Sequence, residues 1–246
     1  MTAPYSDSTW EMLMLARLLT GGLFVGLVMV TTTIAADKKE EEAVKKALQQ
    51  VGEMVGEWKG NGKAKVGTKE QLWKETISFG WKFKGSESWI AVEFKDGKNL
   101  TSGDLKYILD KKLYRLTVTD VNKKEQVFDG TIVKGNLVLT SKDKDSGDVQ
   151  KLTLFTLADG ARMMFKSELQ AKGKGLFAEQ FQIAATKEGE SFAGGGGKKN
   201  ECLITGGLGT IAVSYLGKTY YVCCSGCRDE FNDNPKKYVD AFEKKK

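Results

Sequence analysis

The sequence predicts a mainly β fold: an antiparallel up-and-down barrel preceded by a short helix, and a small α+β module at the C-terminus. Three observations favour this fold. Apolar and polar residues alternate from Gly56 to about Lys187, glycine-containing turn signals interrupt the alternation at short intervals, and all four cysteines lie beyond residue 200. The chain of 246 residues is long enough for one large domain or two modest ones.

The first element, residues 1–36, has the layout of a secretory signal peptide. Arg17 supplies a positive charge, Leu18 to Val30 form an apolar stretch, and small residues run to Ala36. The apolar stretch is short for a membrane span, so an uncleaved anchor is the alternative and would be the membrane contact of the chain. Both alternatives place the rest of the protein outside the cytoplasm, in the periplasm or the extracellular space.

A charged helix is predicted next, over residues 37–55. Ala43, Ala47 and Val51 recur at helical spacing, and the three carboxylates of residues 40–42 lie near the helix start, where the helix dipole favours negative charge.

The barrel is predicted over residues 56–190. Between Trp73 and Phe83, large apolar residues occupy one face of a strand and lysine or small residues occupy the other. Turn signals follow such runs at Lys84-Gly85, Asp96-Gly97, Lys134-Gly135, Ser146-Gly147 and Asp159-Gly160. About nine or ten short strands joined by tight turns predict a meander that closes, or nearly closes, into a barrel.

Gly56-Glu57-Trp58, after the helix and before the meander, resembles the Gly-x-Trp signature of lipocalin-type barrels. The resemblance implies an interior that can hold a small apolar ligand. The other interpretation is that Trp58, Trp73, Trp81 and Trp89 fill the barrel as core, because small barrels usually fill their own interior. No carboxylate pair or nucleophile stands out from the alternating surface charges of this region.

A glycine-rich linker is predicted over residues 191–200, because four consecutive glycines hold neither a strand nor a helix cheaply. The module that follows, residues 201–246, is too small to build a sufficient apolar core without a metal or a covalent cross-link. A hairpin with its turn at Leu216-Gly217-Lys218 returns Cys223 and Cys227 towards Cys202.

The spacing of the cysteines resembles that of the TRASH/YHS domain family. Twenty residues separate Cys202 from Cys223 and three separate Cys223 from Cys227, within the run GKTYYVCCSGCRDEF. The resemblance implies a zinc-knuckle-like module for heavy metals, with these three cysteines as ligands and Cys224 as the second cysteine of the CC pair. The chain departs from the family at Leu203, where members often have proline, and it lacks the histidine of the YHS motif.

The absence of histidine excludes imidazole bases and imidazole-ligated metals. Three thiolates suit soft ions such as Cu(I), Hg(II) or As(III), and four suit a closed zinc site, so zinc or copper is expected. Because adjacent cysteines struggle to place both sulfurs on one ion, three ligands with Cys224 as a nearby spare thiol are favoured. The rival is a disulfide, since four exported cysteines allow three pairings, including Cys202 with Cys224 or Cys227.

The predicted function is therefore that of an exported, non-enzymatic binding protein that captures or handles a thiophilic or transition metal through its cysteine cluster. The alternative is a carrier of a small apolar ligand in the barrel, with the module as a disulfide- or zinc-stapled appendage. A third is a structural protein of the cell envelope. Nucleic acid is not expected, because the net charge of +6 arises from scattered lysines without a basic stripe interleaved with aromatics.

Overall fold

The structure is a computed structural model that describes residues 26–158, 160–188 and 200–245. Most of the predicted signal peptide and of the predicted glycine linker lies outside these described residues. The chain divides into two compact units, Met1–Lys39 and Glu40–Lys246. The barrel and the cysteine module both belong to the second unit.

The N-terminal helix, α1, spans Gly26–Gln49, and a short 3-10 turn follows at Gly52–Met54. The helix thus begins and ends earlier than the predicted 37–55. No glycine or proline occurs between Gly26 and Gly52, so nothing in the local sequence starts the helix at residue 37, whereas Gly52 favours its end. Among the described residues, no helix combines the length and the apolar character that crossing a membrane requires.

The predicted barrel is confirmed: ten antiparallel strands in up-and-down order close on themselves, with β1 paired to both β2 and β10. Two-residue turns such as Lys134-Gly135 join neighbouring strands, and both of these residues have the positive φ that such turns require. The strands are β1 Gly56–Val66, β2 Lys69–Lys84, β3 Glu87–Lys95, β4 Leu100–Ile108, β5 Leu113–Asp120, β6 Glu125–Val133, β7 Asn136–Lys142, β8 Val149–Leu157, β9 Arg162–Gln170 and β10 Ala178–Lys187.

Large side chains fill the centre of the barrel. Trp58, Trp81 and Phe165 are less than 2% exposed, and the Trp58 indole N–H donates to the Met54 carbonyl at 2.7 Å. The core interpretation places Trp89 inside the barrel, but Trp89 lies on the outer face, with its indole N–H donating to Asp104. The reason is the alternation of β3, in which Ile90 and its even-numbered neighbours point inwards.

The end of α1 lies against the barrel. Leu48 is fully buried, and the Tyr114 hydroxyl of β5 donates to the Ala47 carbonyl at 2.7 Å. Burial raises the pKa of Tyr114 to about 12, so the hydroxyl keeps its proton and remains a donor at any physiological pH. This contact fixes the last turn of the helix beside the barrel.

The C-terminal module contains the predicted hairpin and two short helices. Strands β11 Ile211–Tyr215 and β12 Lys218–Val222 pair around a turn, and helices α2 Ser225–Asp233 and α3 Pro235–Glu243 follow. Asn234 separates the helices, and its side chain accepts a hydrogen bond from the backbone N–H of Lys237 at 3.2 Å, which caps α3.

Helix α2 packs directly against strand β2 of the barrel. A Cβ atom placed on Gly226 would lie 1.8 Å from the Trp81 carbonyl oxygen, so the two backbones approach as closely as only glycine permits. The module is therefore seated on the barrel wall, and Trp81 belongs both to the barrel core and to this contact.

Candidate metal centre

A tight loop holds Cys202. The Cys202 N–H donates to the Gly207 carbonyl at 2.6 Å, and the Gly206 N–H donates back to the Cys202 carbonyl at 2.7 Å. Gly206 has a φ of 73°, a conformation that favours glycine and lets the chain reverse here. The next residue, Leu203, donates to the Tyr221 carbonyl at 3.0 Å, so the loop is fastened to β12 just before Cys223.

The other three cysteines lie where β12 passes into α2. Cys223 follows the end of the strand, Cys224 is the extended N-cap residue of the helix with φ −157°, and Cys227 lies in its first turn. The Arg228 N–H donates to the Cys224 carbonyl at 3.0 Å, which begins the helical hydrogen bonding. This strand-to-helix passage directs Cys223 and Cys227 towards the Cys202 loop.

The sulfur atoms of Cys202, Cys223 and Cys227 all lie within 4.8 Å of one another, and the Cys223 and Cys227 sulfurs are 3.5 Å apart. Two sulfurs bound to one tetrahedral zinc ion at about 2.3 Å lie about 3.8 Å apart, so these spacings fit a shared soft or borderline ion. Cys202 and Cys227 are completely buried and Cys223 is 8% exposed. The donor set and its spacing therefore suit a thiolate-ligated metal.

Cys224 stands beside this group. Its sulfur is 4.0 Å from the Cys223 sulfur, and it is not among the three that converge. All four cysteines are free in the structure. Of the two adjacent cysteines, Cys223 thus places its sulfur within the converging group and Cys224 places its sulfur beside it.

The pKa values of the four cysteines are shifted in opposite directions. Hydrogen bonds from Cys223 and Cys227 lower the pKa of Cys202 to about 2, and hydrogen bonds from the same two residues lower the pKa of Cys224 to about 3. The pKa values of Cys223 and Cys227 are raised, chiefly by their hydrogen bonds to the neighbouring sulfurs. The helix N-terminus alone predicts lowered pKa values for all three cysteines near it, whereas hydrogen bonding among the sulfurs lowers the pKa of Cys224 and raises those of Cys223 and Cys227.

Two residues of α1, Gln49 and Lys45, interact with the cysteine cluster although they lie far from the module in sequence. The Thr205 hydroxyl, in the Cys202 loop, lies 3.5 Å from the Cys223 sulfur, and the Gln49 side chain at the end of α1 donates to the Thr205 carbonyl. Lys45 of α1 interacts with the charges of Cys227 and Cys202.

Burial lowers the pKa of Lys45, and the negative charges of Cys227 and Glu41 oppose that lowering. The Lys45 ammonium lies 5.7 Å from the centre of the Phe83 ring, which is stacked on Trp81. Lys45 therefore connects α1 electrostatically to the cysteine cluster. Sequence reasoning missed Lys45 and Gln49, because no local pattern connects a helix before the barrel with cysteines about 180 residues later.

A family model described as the YHS domain matches residues 210–241, which confirms the family resemblance of this region. The match contains Cys223, Cys224 and Cys227, whereas Cys202 lies before it. The fold and the cysteine group thus define a β-barrel protein with a YHS-like C-terminal module.

No curated protein matches the chain. Among solved structures, the crystal structure of Rv2717c from M. tuberculosis is similar with a TM-score of 0.40 and 17% identity, over 58% of this chain and 97% of that one. A similarity of this size says nothing about function.

Proposed function

We propose that the protein is an exported, non-enzymatic binding protein that captures or transfers a thiophilic or transition metal ion. Cys202, Cys223 and Cys227 are its ligands, and Zn(II) or Cu(I) is the ion. The observation that carries the proposal is the convergence of three buried sulfurs within 4.8 Å in a module that matches the YHS family model. Thiolates without imidazole or carboxylate partners select soft and borderline ions.

Residues around the sulfurs support the same role. The Thr205 hydroxyl can hydrogen-bond the Cys223 sulfur, and such outer contacts orient ligands and tune affinity. Three thiolates carry more negative charge than a monovalent or divalent ion neutralises, and the half-buried Lys45 interacts with the charges of Cys227 and Cys202. Because Cys223 and Cys227, whose pKa values are raised, must lose their protons to become ligands, binding releases protons and weakens as the pH falls.

Export is the part of the proposal that rests on the N-terminal segment. The apolar stretch after Arg17 and the small residues up to Ala36 support a cleaved leader. Sequencing the N-terminus of protein recovered outside the cytoplasm tests this. We expect the mature chain to begin at Asp37, and recovery of the protein only inside the cytoplasm would refute export.

The barrel offers less support for the alternative, an apolar-ligand carrier. Trp58, Trp81 and Phe165 are less than 2% exposed and pack in the core of the barrel. A ligand in contact with these residues would have to displace tightly packed aromatic rings. Metal binding by the module is therefore favoured over the carriage of an apolar ligand by the barrel.

Metal content and affinity test the proposal directly. The full chain, purified without oxygen and exposed to Zn(II) or Cu(I), should bind about one ion per chain. Cys202→Ser, Cys223→Ser and Cys227→Ser should each weaken binding by more than about 100-fold, since loss of a ligand costs more than the 10–100-fold typical of outer contacts.

Cys224→Ser is the matched control for these variants, because its sulfur is buried and adjacent but lies outside the converging group. It should retain one ion with an affinity within about 10-fold of the parent, the lower range for an outer contact. Stoichiometric binding by Cys202→Ser, or no binding by a parent chain with four free thiols, would refute the proposal.

A further inference from the structure

A cleft of about 290 Å³ opens beside the cysteine group. It lies where the end of α1, strand β2 and the Cys202 loop meet, and its volume is just below the range usual for small-molecule sites, about 300–1,000 Å³. The residues that line it include Gln49, Trp81, Glu201, Thr205, Cys223 and Lys245.

This cleft is a route to the sulfurs from outside. Cys223 lines it and is 8% exposed, whereas Cys202 and Cys227 are completely buried. A molecule in the cleft therefore meets Cys223 first. The Thr205 hydroxyl lies at the same place, 3.5 Å from the Cys223 sulfur.

The lining combines opposite charges with neutral polar groups. Glu201 supplies a carboxylate and Lys245 an ammonium group. At Gly206 a Cβ would contact Glu201 Oε1 at 3.5 Å and Gln49 Nε2 at 3.7 Å, so this glycine leaves both polar groups uncovered by a side chain. A wall with one acidic and one basic side chain complements a small zwitterion, whose carboxylate pairs with Lys245 and whose ammonium pairs with Glu201.

We propose that the cleft binds a small zwitterionic thiol of the cysteine type, whose sulfur becomes an additional ligand of the metal held by Cys202, Cys223 and Cys227. The inference rests on the proposed function, because it needs the bound ion. The thiol would add to an ion held by three sulfurs, its proton would leave to solvent, and no electrons would be transferred. Exchange with such a thiol gives a buried ion a way in and out without unfolding the module.

Cobalt(II) serves as the probe, since cobalt–thiolate charge-transfer absorption reports the number of sulfur ligands. The full chain loaded with one equivalent of Co(II) without oxygen is titrated with L-cysteine, and retention of cobalt is checked by gel filtration. We expect a saturable rise in thiolate absorption with the cobalt still bound. L-Serine should cause no rise, and 2-mercaptoethanol, which lacks both charges, should need a concentration at least about 10-fold higher.

Charge variants locate the site. Lys245→Gln and Glu201→Gln should each weaken the L-cysteine response by about 10-fold, equivalent to about 1.4 kcal/mol for one charged contact. Both variants should bind Co(II) with the affinity of the parent, because neither side chain is one of the three proposed ligands. Lys218→Gln, at the exposed start of β12, is the matched control and should respond to L-cysteine like the parent.

The two proposals fail in different ways. If the chain shows no cobalt–thiolate absorption before cysteine is added, the proposed function fails and this inference with it. If that absorption is present but L-cysteine leaves it unchanged, merely removes the cobalt, or acts no better than 2-mercaptoethanol, the inference alone is overturned.

Discussion

The barrel and the cysteine module reach stability in different ways. Ten strands close the barrel, so each strand is hydrogen-bonded to a neighbour on both sides, and the buried apolar side chains form one cluster that extends into the module. The module has two strands and two short helices. Among the large described side chains with less than 2% exposure, Phe231 alone belongs to the module, whereas all four cysteines do.

This difference indicates that the two regions have different roles, the barrel as a scaffold and the module as the carrier of the cysteines. A closed barrel provides a wall that does not need the module, and the module uses that wall together with its own sulfurs. The contact between Gly226 and the Trp81 carbonyl, and the hydrogen bond from Gln49 to Thr205, hold the cysteine group against the barrel side. The barrel is thus a support for a chemical centre that could not be built on 45 residues alone.

The largest expected effect comes from truncating one phenylalanine in each region. Phe165→Ala should lower the free energy of unfolding of the barrel by about 3–5 kcal/mol, because Phe165 is fully buried and packs against Phe94 and Phe181. Phe231→Ala should leave barrel unfolding within about 1 kcal/mol of the parent, because Phe231 lies on α2 of the module and contributes no strand to the closed barrel. It should expose the thiols instead.

Two probes separate the regions in urea titrations. Trp58, Trp73, Trp81 and Trp89 all lie in barrel strands, so their emission reports the barrel, and the fifth tryptophan, Trp10, lies before it. The reaction rate of the thiols with a chromogenic disulfide reports the module. Equal shifts of the tryptophan transition in both variants would show that barrel and module unfold as one cooperative unit, contrary to the comparison.

Gly226→Ala should have the next largest effect, through the contact between the regions. Alanine is normally better than glycine in a helix by about 1 kcal/mol, so a free α2 would be stabilised. In the structure the new methyl group would lie 1.8 Å from the Trp81 carbonyl oxygen, and we expect a loss of about 2–3 kcal/mol of module stability from overpacking.

Thiol reactivity and metal affinity measure this loss. Gly80→Ala, on β2 next to Trp81, is the control, because nothing lies within 4 Å of the added Cβ. It should leave both quantities unchanged. A more stable module in Gly226→Ala would mean that α2 does not pack on the barrel wall.

Local patterns in the sequence predict much of this fold and little of what surrounds the centre. Alternation and turn residues indicate the ten strands and the hairpin because both depend on neighbouring residues. The proximity of Lys45 and Trp81 to the cysteines follows from barrel closure and docking, which bring distant residues together and leave no local trace. The position of Trp89 outside the barrel depends on which face of β3 turns inwards. A shift of one position along the strand would reverse the two faces.

Glu75 is a charged residue at an inward-facing position, which the alternation of β2 reveals only once the inner face of the barrel is known. Its substitution gives the smallest predicted change in stability. It occupies an inward position between Trp73 and Ile77 on β2 and is 5% exposed. The Trp73 indole N–H donates to Glu75 Oε1 at 2.8 Å, and burial raises the pKa of the carboxyl. The folded state therefore holds this proton more tightly than the unfolded state does.

The sign of the pH effect follows from that difference. As the pH rises from the ordinary glutamate pKa through the raised folded value, the folded chain must either keep an extra proton or bury a charge, so its stability decreases. Glu75→Gln removes this cost and should stabilise the barrel by about 1 kcal/mol at pH 8, because an incompletely hydrogen-bonded buried group costs about 1–3 kcal/mol. At pH 4 the gain should shrink towards zero. Urea titrations followed by tryptophan emission measure both, with exposed Glu93→Gln as the control, and a gain that is equal at the two pH values would show that the Glu75 carboxyl carries no such cost.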